Sequence, residues 1–131
     1  MKKTGVLNHR ISEVIATMGH GDSGAIGDAG LPIPGHVERI DLAVAPGLPG
    51  LLEVVRAVAT ELQVETVVLA DELLDRNREL AAGIYDVFPG SELQTVSHDL
   101  FKARLVNAKA VVRTGECTPY ANVILVSGVT F

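Results

Sequence analysis

The chain has 131 residues, of which 47% are hydrophobic and 21% are charged, a composition typical of a globular protein rather than a disordered chain. It carries 11 Lys and Arg against 16 Asp and Glu, and this net charge of −5, without a basic cluster, disfavours binding to nucleic acid. A lone cysteine, Cys117, excludes an intrachain disulfide and suits a reducing compartment.

No segment of the sequence resembles an export signal or a membrane span. Polar residues between Asn8 and Glu13 interrupt the apolar region that a signal peptide requires. The apolar runs elsewhere are a few residues long, far below the roughly 20 residues that cross a bilayer. We therefore expect one cytoplasmic domain over residues 1–131, with no membrane insertion and no nucleic-acid partner.

The first third of the chain predicts one helix and two strands. Apolar residues recur at helical spacing from Leu7 to Met18, and Asn8 can cap the helix that they indicate. Glycines then favour a turn, and two prolines restrict the backbone further on. In chain order we expect a helix over about 8–18, a strand at 23–28, a loop at 31–35 and a weaker strand at 37–44.

The rest of the chain continues to alternate helix and strand. Asp71 can cap a helical region that ends at Pro89-Gly90, and Ser97 can cap a later helix. The other expected elements are a helix at 51–62, a buried β-branched strand at 64–70, a strand at 93–96, a helix at 99–106, and strands at 110–113 and 122–126. This order predicts an α/β fold, a single-domain layered sandwich with a largely parallel or mixed central sheet flanked by helices.

His20 lies in a glycine-rich turn between the first predicted helix and the first predicted strand. Residues 19–24 match the pattern G-x-G-x-x-G, but the dinucleotide site that this pattern marks needs a strand before it and a helix after it, the reverse of the order here. The glycines can instead let the backbone turn tightly and leave the His20 imidazole beside an open space, as a candidate reactive group. The alternative is a histidine stabilised by the dipole of a helix C-terminus.

Two more polar residues follow predicted strands. Asp28 ends the first strand, and ligands gather beyond the carboxyl ends of strands in open α/β sheets. His98 follows a later strand at a helix start, where it can face the same crevice, and Lys102 lies four residues on along the same helix face. The alternatives are a turn-forming aspartate, an ordinary first-turn histidine and a solvated lysine.

The segment 113–122 is rich in polar groups between two apolar strands. Tyr120 and Asn122 offer a phenol and an amide, which are groups that bind sugars, whereas the alternative is a hairpin connection with a packed tyrosine. The possible metal ligands match no zinc spacing, so no metal site is expected; these ligands are His20, Asp22, Asp28 and His98.

Taken together and in order, five segments resemble the D-ribose pyranase and fucose mutarotase family of small sugar-ring isomerases. The likeness covers nearly the whole chain, and the ending Gly128–Phe131 is more similar to the ribose branch of the family. The segments are 3–8, 18–22, 28–34, 97–102 and 113–122.

The resemblance implies a site, an assembly and no cofactor. It makes His20 the general acid and suggests Lys102 as a further sugar contact. It also implies a homo-oligomer, commonly a decamer of two stacked pentameric rings, with the site between neighbouring subunits. The residues that it assigns to sugar binding are Asp28, His98, Tyr120, Ala121 and Asn122.

The implied reaction interconverts β-D-ribopyranose and β-D-ribofuranose. Ring opening needs a proton delivered to the ring oxygen and another removed from the anomeric hydroxyl, and a histidine with a pKa of about 6.5 is suited to this exchange. Asp28 could bind a hydroxyl or orient an imidazole, and His98 or a water could take the second proton. The alternatives are anomer exchange of the fucose mutarotase type, or a noncatalytic regulatory module that binds a pentose.

Overall fold

The computed structural model describes all residues from 1 to 131 and contains one six-stranded sheet with helices on both faces. The elements, in chain order, are α1 His9–Thr17, β1 Ser23–Gly27, β2 Glu38–Asp41, α2 Leu51–Ala59, β3 Val64–Ala70, α3 Asp71–Arg76, α4 Arg78–Tyr85, β4 Glu92–Val96, α5 His98–Arg104, a 3-10 turn Leu105–Asn107, β5 Ala110–Arg113 and β6 Val123–Ser127.

Polar side chains begin three of the helices. Asn8 Oδ1 accepts from the Ile11 N–H at 3.0 Å, and Ser97 Oγ accepts from the Leu100 N–H at 3.2 Å, which confirms both predicted caps. The predicted cap at Asp71 is wrong, because β3 passes directly into α3 and Asp71 is the first helical residue. Asn77 then interrupts the helical region and caps α4, so that two helices stand where one helical region was expected.

The strands lie in the order β2-β5-β1-β6-β3-β4. All the strands run parallel except β6, which is antiparallel to both of its neighbours. The carboxyl ends of β1 to β5 and the start of β6 therefore share one edge of the sheet, which we call the carboxyl edge; the opposite edge is the amino edge. A hairpin of β5 and β6 does not form, because β1 lies between them and pairs with both.

Apolar side chains alternate along the strands and fill a core on each face of the sheet. In β1, Ile26 packs on the side of α1 to α4, whereas its neighbour Ala25 packs against Phe101 of α5 on the other side. The predicted layered α/β sandwich with a mixed sheet is confirmed. The longest helices have nine residues each, fewer than half of the roughly 20 that a membrane span requires.

Candidate functional site

Asp28 and Asn122 exchange hydrogen bonds at the carboxyl edge. The Asp28 N–H donates to Asn122 Oδ1 at 2.8 Å, and Asn122 Nδ2 donates to Asp28 Oδ2 at 2.9 Å. The second carboxylate oxygen of Asp28 accepts from the Gly30 N–H at 2.9 Å. Asn122 is fully buried and Asp28 is half-buried, so a buried amide orients a carboxylate that faces outward.

The residue before Asp28 has no room for a side chain. A Cβ on Gly27 would lie 2.8 Å from Asn122 Oδ1 and 2.4 Å from Leu31 Cδ2. Buried Thr114 donates its hydroxyl and its N–H to the Gly27 carbonyl, at 2.8 and 2.9 Å. The end of β1 is thus held by the segments that flank β5 and β6, and this sets the position of Asp28.

Tyr120 lies between a histidine and an arginine. Its ring meets the His98 ring edge to face, with centroids 5.0 Å apart, and the Arg76 guanidinium carbon lies 5.2 Å from its centroid. Tyr120 has a φ of 62°, a left-handed conformation that is rare for residues other than glycine and that recurs at ligand sites. No local sequence pattern indicates a role for Arg76, because its contact with Tyr120 joins residues far apart along the chain.

His98 begins α5, as its sequence position predicted. Its backbone N–H donates to Glu72 Oε2 at 2.9 Å, and its ring stacks on Phe101 with centroids 6.2 Å apart. Nδ1 of the ring is buried and has no hydrogen-bond partner. Nε2 is therefore the nitrogen of His98 that remains for a ligand.

Lys102 and Ala121 take different positions around this group. Lys102 Nζ lies 3.1 Å from Asp99 Oδ1, so the lysine pairs with an exposed acid of its own helix. Ala121 is fully buried and its N–H donates to the Thr118 carbonyl at 3.2 Å, which places it in the framework between Tyr120 and Asn122.

Glu116 organises the loop before Tyr120 and was missed by sequence reasoning. Its Oε1 accepts from the Thr118 hydroxyl at 2.8 Å and from the Cys117 and Thr118 N–H groups, while Oε2 accepts from the Leu51 N–H at the start of α2 at 3.1 Å. Burial raises the pKa of Glu116, but these hydrogen bonds outweigh it and hold the pKa below its usual value. Nothing in the sequence around Glu116 indicates that its side chain bonds to the start of α2, which is distant along the chain.

His20 lies at the other end of the sheet, at the amino edge. Its turn precedes β1, and the Gly21 N–H donates to the carbonyl of Ser127, the last residue of β6, at 2.9 Å. The His20 side chain is 63% exposed, and its Nε2 lies 2.8 Å from Glu65 Oε2 at the start of β3. His20 is an exposed histidine with one carboxylate partner.

Asp22 fixes the conformation of this turn. Its Oδ2 accepts from the Gly19 N–H at 2.9 Å, and Lys109 Nζ lies 3.5 Å away. The hydrogen bond from Gly19 holds the pKa of Asp22 below its usual value against the opposing effect of burial, and Lys109 acts in the same direction. The turn is therefore held by a carboxylate at neutral pH.

Two of the predicted site residues, His20 and Asp28, line separate clefts. His20 lines a cleft of about 470 Å³ whose far wall is the C-terminal segment 127–131, and Asp28 lines a depression of about 290 Å³ beside Glu116. The five residues of β1 lie between these two edges, a span of about 17 Å at 3.3 Å per residue. Within one chain, the two clefts therefore lie too far apart for one small molecule to contact both. No three His, Cys, Asp or Glu side chains converge as a metal-binding group.

The chain matches known proteins over its full length. It is 53% identical to the D-ribose pyranase of Chloroflexus aggregans and 54% identical to that of Symbiobacterium thermophilum, in each case over 131 residues that cover 100% of both chains. The structure of Bacillus subtilis RbsD complexed with D-ribose matches with a TM-score of 0.96 and 45% identity, again over 100% of both chains. The model of the RbsD / FucU transport protein family matches residues 1–130, and the chain belongs to that family.

Proposed function

We propose that this protein is a D-ribose pyranase, an intramolecular isomerase that interconverts β-D-ribopyranose and β-D-ribofuranose. One observation carries the proposal: the Asp28–Asn122 pair stands beside Tyr120 and His98 in a chain that superposes over its full length on the ribose-bound RbsD. Curated relatives that match the whole chain at 53% and 54% identity bear the same name.

The reaction requires two proton transfers and no redox step. A general acid protonates the ring oxygen as the bond between this oxygen and the anomeric carbon breaks. The anomeric hydroxyl loses its proton to a base and becomes the carbonyl of the open chain. A different hydroxyl then attacks that carbonyl, and the reverse transfers close the five-membered ring. We assign the acid to His20, whose side chain is 63% exposed and so can approach a sugar.

We further propose that each site combines residues of two copies of the chain. His20 and Asp28 lie at opposite edges of the sheet in one chain, so that an acid from one copy must meet the sugar held by the next. A contact between two different edges is heterologous, and repeated contacts of this kind form a ring when their rotation closes. Exposed apolar side chains support assembly, among them Val44, Leu48, Val129 and Phe131. The assembly proposed from the family resemblance is a decamer of two pentameric rings.

At the carboxyl edge, we assign the sugar contacts by exposure. Asp28 and Tyr120 are half-buried and can bind hydroxyl groups directly. Asn122 and Ala121 are fully buried, and their proposed role is to hold these two residues in place. Lys102, paired with Asp99, is a peripheral contact at most.

His98 serves as a hydrogen-bond donor in this proposal. Nδ1 is buried without a partner, so Nε2 is the ring nitrogen that can reach a sugar oxygen. We assign Nε2 the role of donor, with its proton directed at the sugar. Since this nitrogen is already protonated, the anomeric proton leaves to water.

We propose a cytoplasmic location, in keeping with the lone Cys117 thiol and the absence of a membrane-spanning helix. There the enzyme would supply the furanose form to a kinase after ribose uptake.

Saturation-transfer NMR on equilibrated D-ribose tests the function. Irradiating the β-pyranose anomeric proton should diminish the β-furanose signal only when the protein is present. The same measurement on L-fucose anomers provides the comparison. Faster exchange with fucose alone would assign the chain to fucose mutarotation, and ribose binding without faster exchange would make it a regulatory module.

A further inference from the structure

The geometry points to Glu65 as the positioning residue of His20: it orients the imidazole and determines which ring nitrogen meets the sugar. This inference rests on the proposed function, in which His20 is the general acid. Glu65 Oε2 lies 2.8 Å from His20 Nε2, within hydrogen-bond distance. No local sequence pattern indicates this pair, because residues 20 and 65 belong to different elements.

The local backbone aims Glu65 at the histidine. Val64 pairs with Ser127 of β6, but Thr66 pairs with Val126, so a two-residue step on β3 opposes a one-residue step on β6. Glu65 is the extra residue of a β-bulge. Bulges bend a strand and redirect a side chain, and they are common beside active sites.

The end of β6 holds both partners in register. The Ser127 N–H donates to the Asp22 carbonyl and the Ser127 carbonyl accepts from the Gly21 N–H, at 2.8 and 2.9 Å, which ties the His20 turn to this strand. At the next residue, a Cβ on Gly128 would lie 3.1 Å from Glu65 Cβ, so a side chain there would crowd the bulge. One strand end therefore sets the distance between Glu65 and His20.

The pair is poorly placed to stabilise the fold. The side chains of His20 and Glu65 are 63% and 41% exposed, and exposed ion pairs contribute little to stability because solvent screens them. The β-bulge at Glu65 and the glycine at position 128 are better explained if the reaction requires the His20 imidazole in one position.

The contact has a defined consequence for proton transfer. The Glu65 carboxylate accepts the hydrogen of Nε2, and the hydrogen bond of one imidazole nitrogen fixes the role of the other. Nδ1 is then the nitrogen that passes its proton to the ring oxygen and recovers one when the ring closes. Nε2 keeps its hydrogen, and Glu65 its charge, throughout the cycle.

Kinetics of two substitutions test this role. E65A removes the acceptor, and we expect kcat for ribose exchange to fall roughly 10- to 100-fold, a part of what general acid–base catalysis supplies, with KM within about twofold of wild type. E65Q keeps a carbonyl acceptor and should retain a kcat between those of E65A and wild type. The matched control is E92Q, which neutralises an exposed glutamate at the start of the adjacent β4 and should leave both constants unchanged.

The ring itself provides a readout independent of turnover. In ¹⁵N-labelled protein above the titration range of histidine, two-bond correlations should show His20 with its proton on Nε2 in wild type and E65Q, and a loss of this preference in E65A. Wild-type kcat in E65A, or a His20 proton on Nδ1 in wild type, would overturn the inference. If E65A does not assemble, E65D tests the same role, because it keeps the negative charge but moves the carboxylate away from His20. A wild-type kcat in E65D would also overturn the inference. A wild-type protein that does not exchange ribose would instead refute the proposed function, while the ring spectrum would still test the contact.

Discussion

At the scale of single residues, the two histidines of the site differ in the nitrogen that each leaves free. His20 engages Nε2 with Glu65 and is exposed, whereas His98 buries Nδ1 and leaves Nε2 for a ligand. A histidine that exchanges protons needs a nitrogen that can both lose and gain one, and a donor needs only a fixed N–H. These contacts support the proposed roles of His20 as the acid and of His98 as a hydrogen-bond donor, although the two side chains are chemically identical.

The His20→Gln substitution should abolish catalysis without loss of assembly. Glutamine approximates the size of the ring and can still hydrogen-bond to Glu65, but it cannot transfer a proton, so exchange should fall by about 10²- to 10⁴-fold. Saturation transfer measures the rate, and size-exclusion chromatography checks the assembly. A wild-type rate would remove His20 from the mechanism, and loss of the oligomer would make it a structural residue.

The His98→Gln substitution should have a milder effect of a different kind. The amide N–H of glutamine can replace the Nε2–H donor, so we expect KM for ribose to rise severalfold while kcat stays within about tenfold of wild type. His98→Leu, which has no donor, should raise KM further. A kcat for His98→Gln as low as that of His20→Gln would show that His98 accepts the second proton.

The polar residues of the site were predictable from sequence by type, but their roles were not. Asp28 and His98 each follow a strand, and we predicted from this position that they would lie at the same edge of the sheet. Because those two strands run in the same direction, both residues do lie at the carboxyl edge. The sugar contact expected of Asn122 stays a prediction, while in the structure both the oxygen and the nitrogen of its amide form hydrogen bonds with Asp28. Contacts such as this one, and that of Arg76 with Tyr120, depend on the sheet order, which local patterns do not encode.

At the scale of elements, the sequence predicted most helices and strands because their local signals are strong. The β-branched run at Val64–Ala70 forms a strand with these bounds, and the caps Asn8 and Ser97 begin helices. The break at Asn77 was missed because it depends on one residue that caps the next helix. The alternative of a hairpin between β5 and β6 is wrong because β1, remote in sequence, lies between these two strands.

Glu116 joins two elements and should make stability depend on acid pH. E116Q removes a charged acceptor of several hydrogen bonds, and after allowance for its partial exposure we expect a loss of about 1 kcal/mol at neutral pH, seen as a thermal midpoint a few degrees lower. E92Q, at an exposed carboxylate outside this loop, should leave the midpoint unchanged.

The pH dependence of that loss has a definite sign. Because the folded-state pKa of Glu116 is lowered, its contribution is complete above the unfolded-state pKa of about 4.3 and disappears as the pH falls through the folded-state pKa. The difference in thermal midpoint between wild type and E116Q should therefore shrink from about pH 5 to about pH 3. A difference that stays constant over this range would show that the carboxylate charge is not what stabilises the loop.

At the scale of the whole molecule, the separation of His20 from Asp28 predicts complementation between inactive variants. The proposed site combines a half-site around His20 of one copy with a half-site around Asp28 of the next. His20→Gln and Asp28→Asn each damage one of these half-sites, so each pure oligomer should be inactive. In oligomers reassembled from an equal mixture, about a quarter of the contacts between copies should join two intact half-sites and recover activity. Mixing without reassembly is the control, and no recovery after verified subunit exchange would refute a site shared between copies.

The distance between the two edges also determines how activity responds to dilution. In the proposed mechanism, a free chain holds the acid and the sugar-binding edge about 17 Å apart, so we expect it not to turn over ribose by itself, however well it folds. Specific activity should thus be constant at high protein concentration and fall once the oligomer dissociates, well before any loss of secondary structure. In the proposed assembly, the number of working sites is the number of contacts between subunits rather than the number of folded chains.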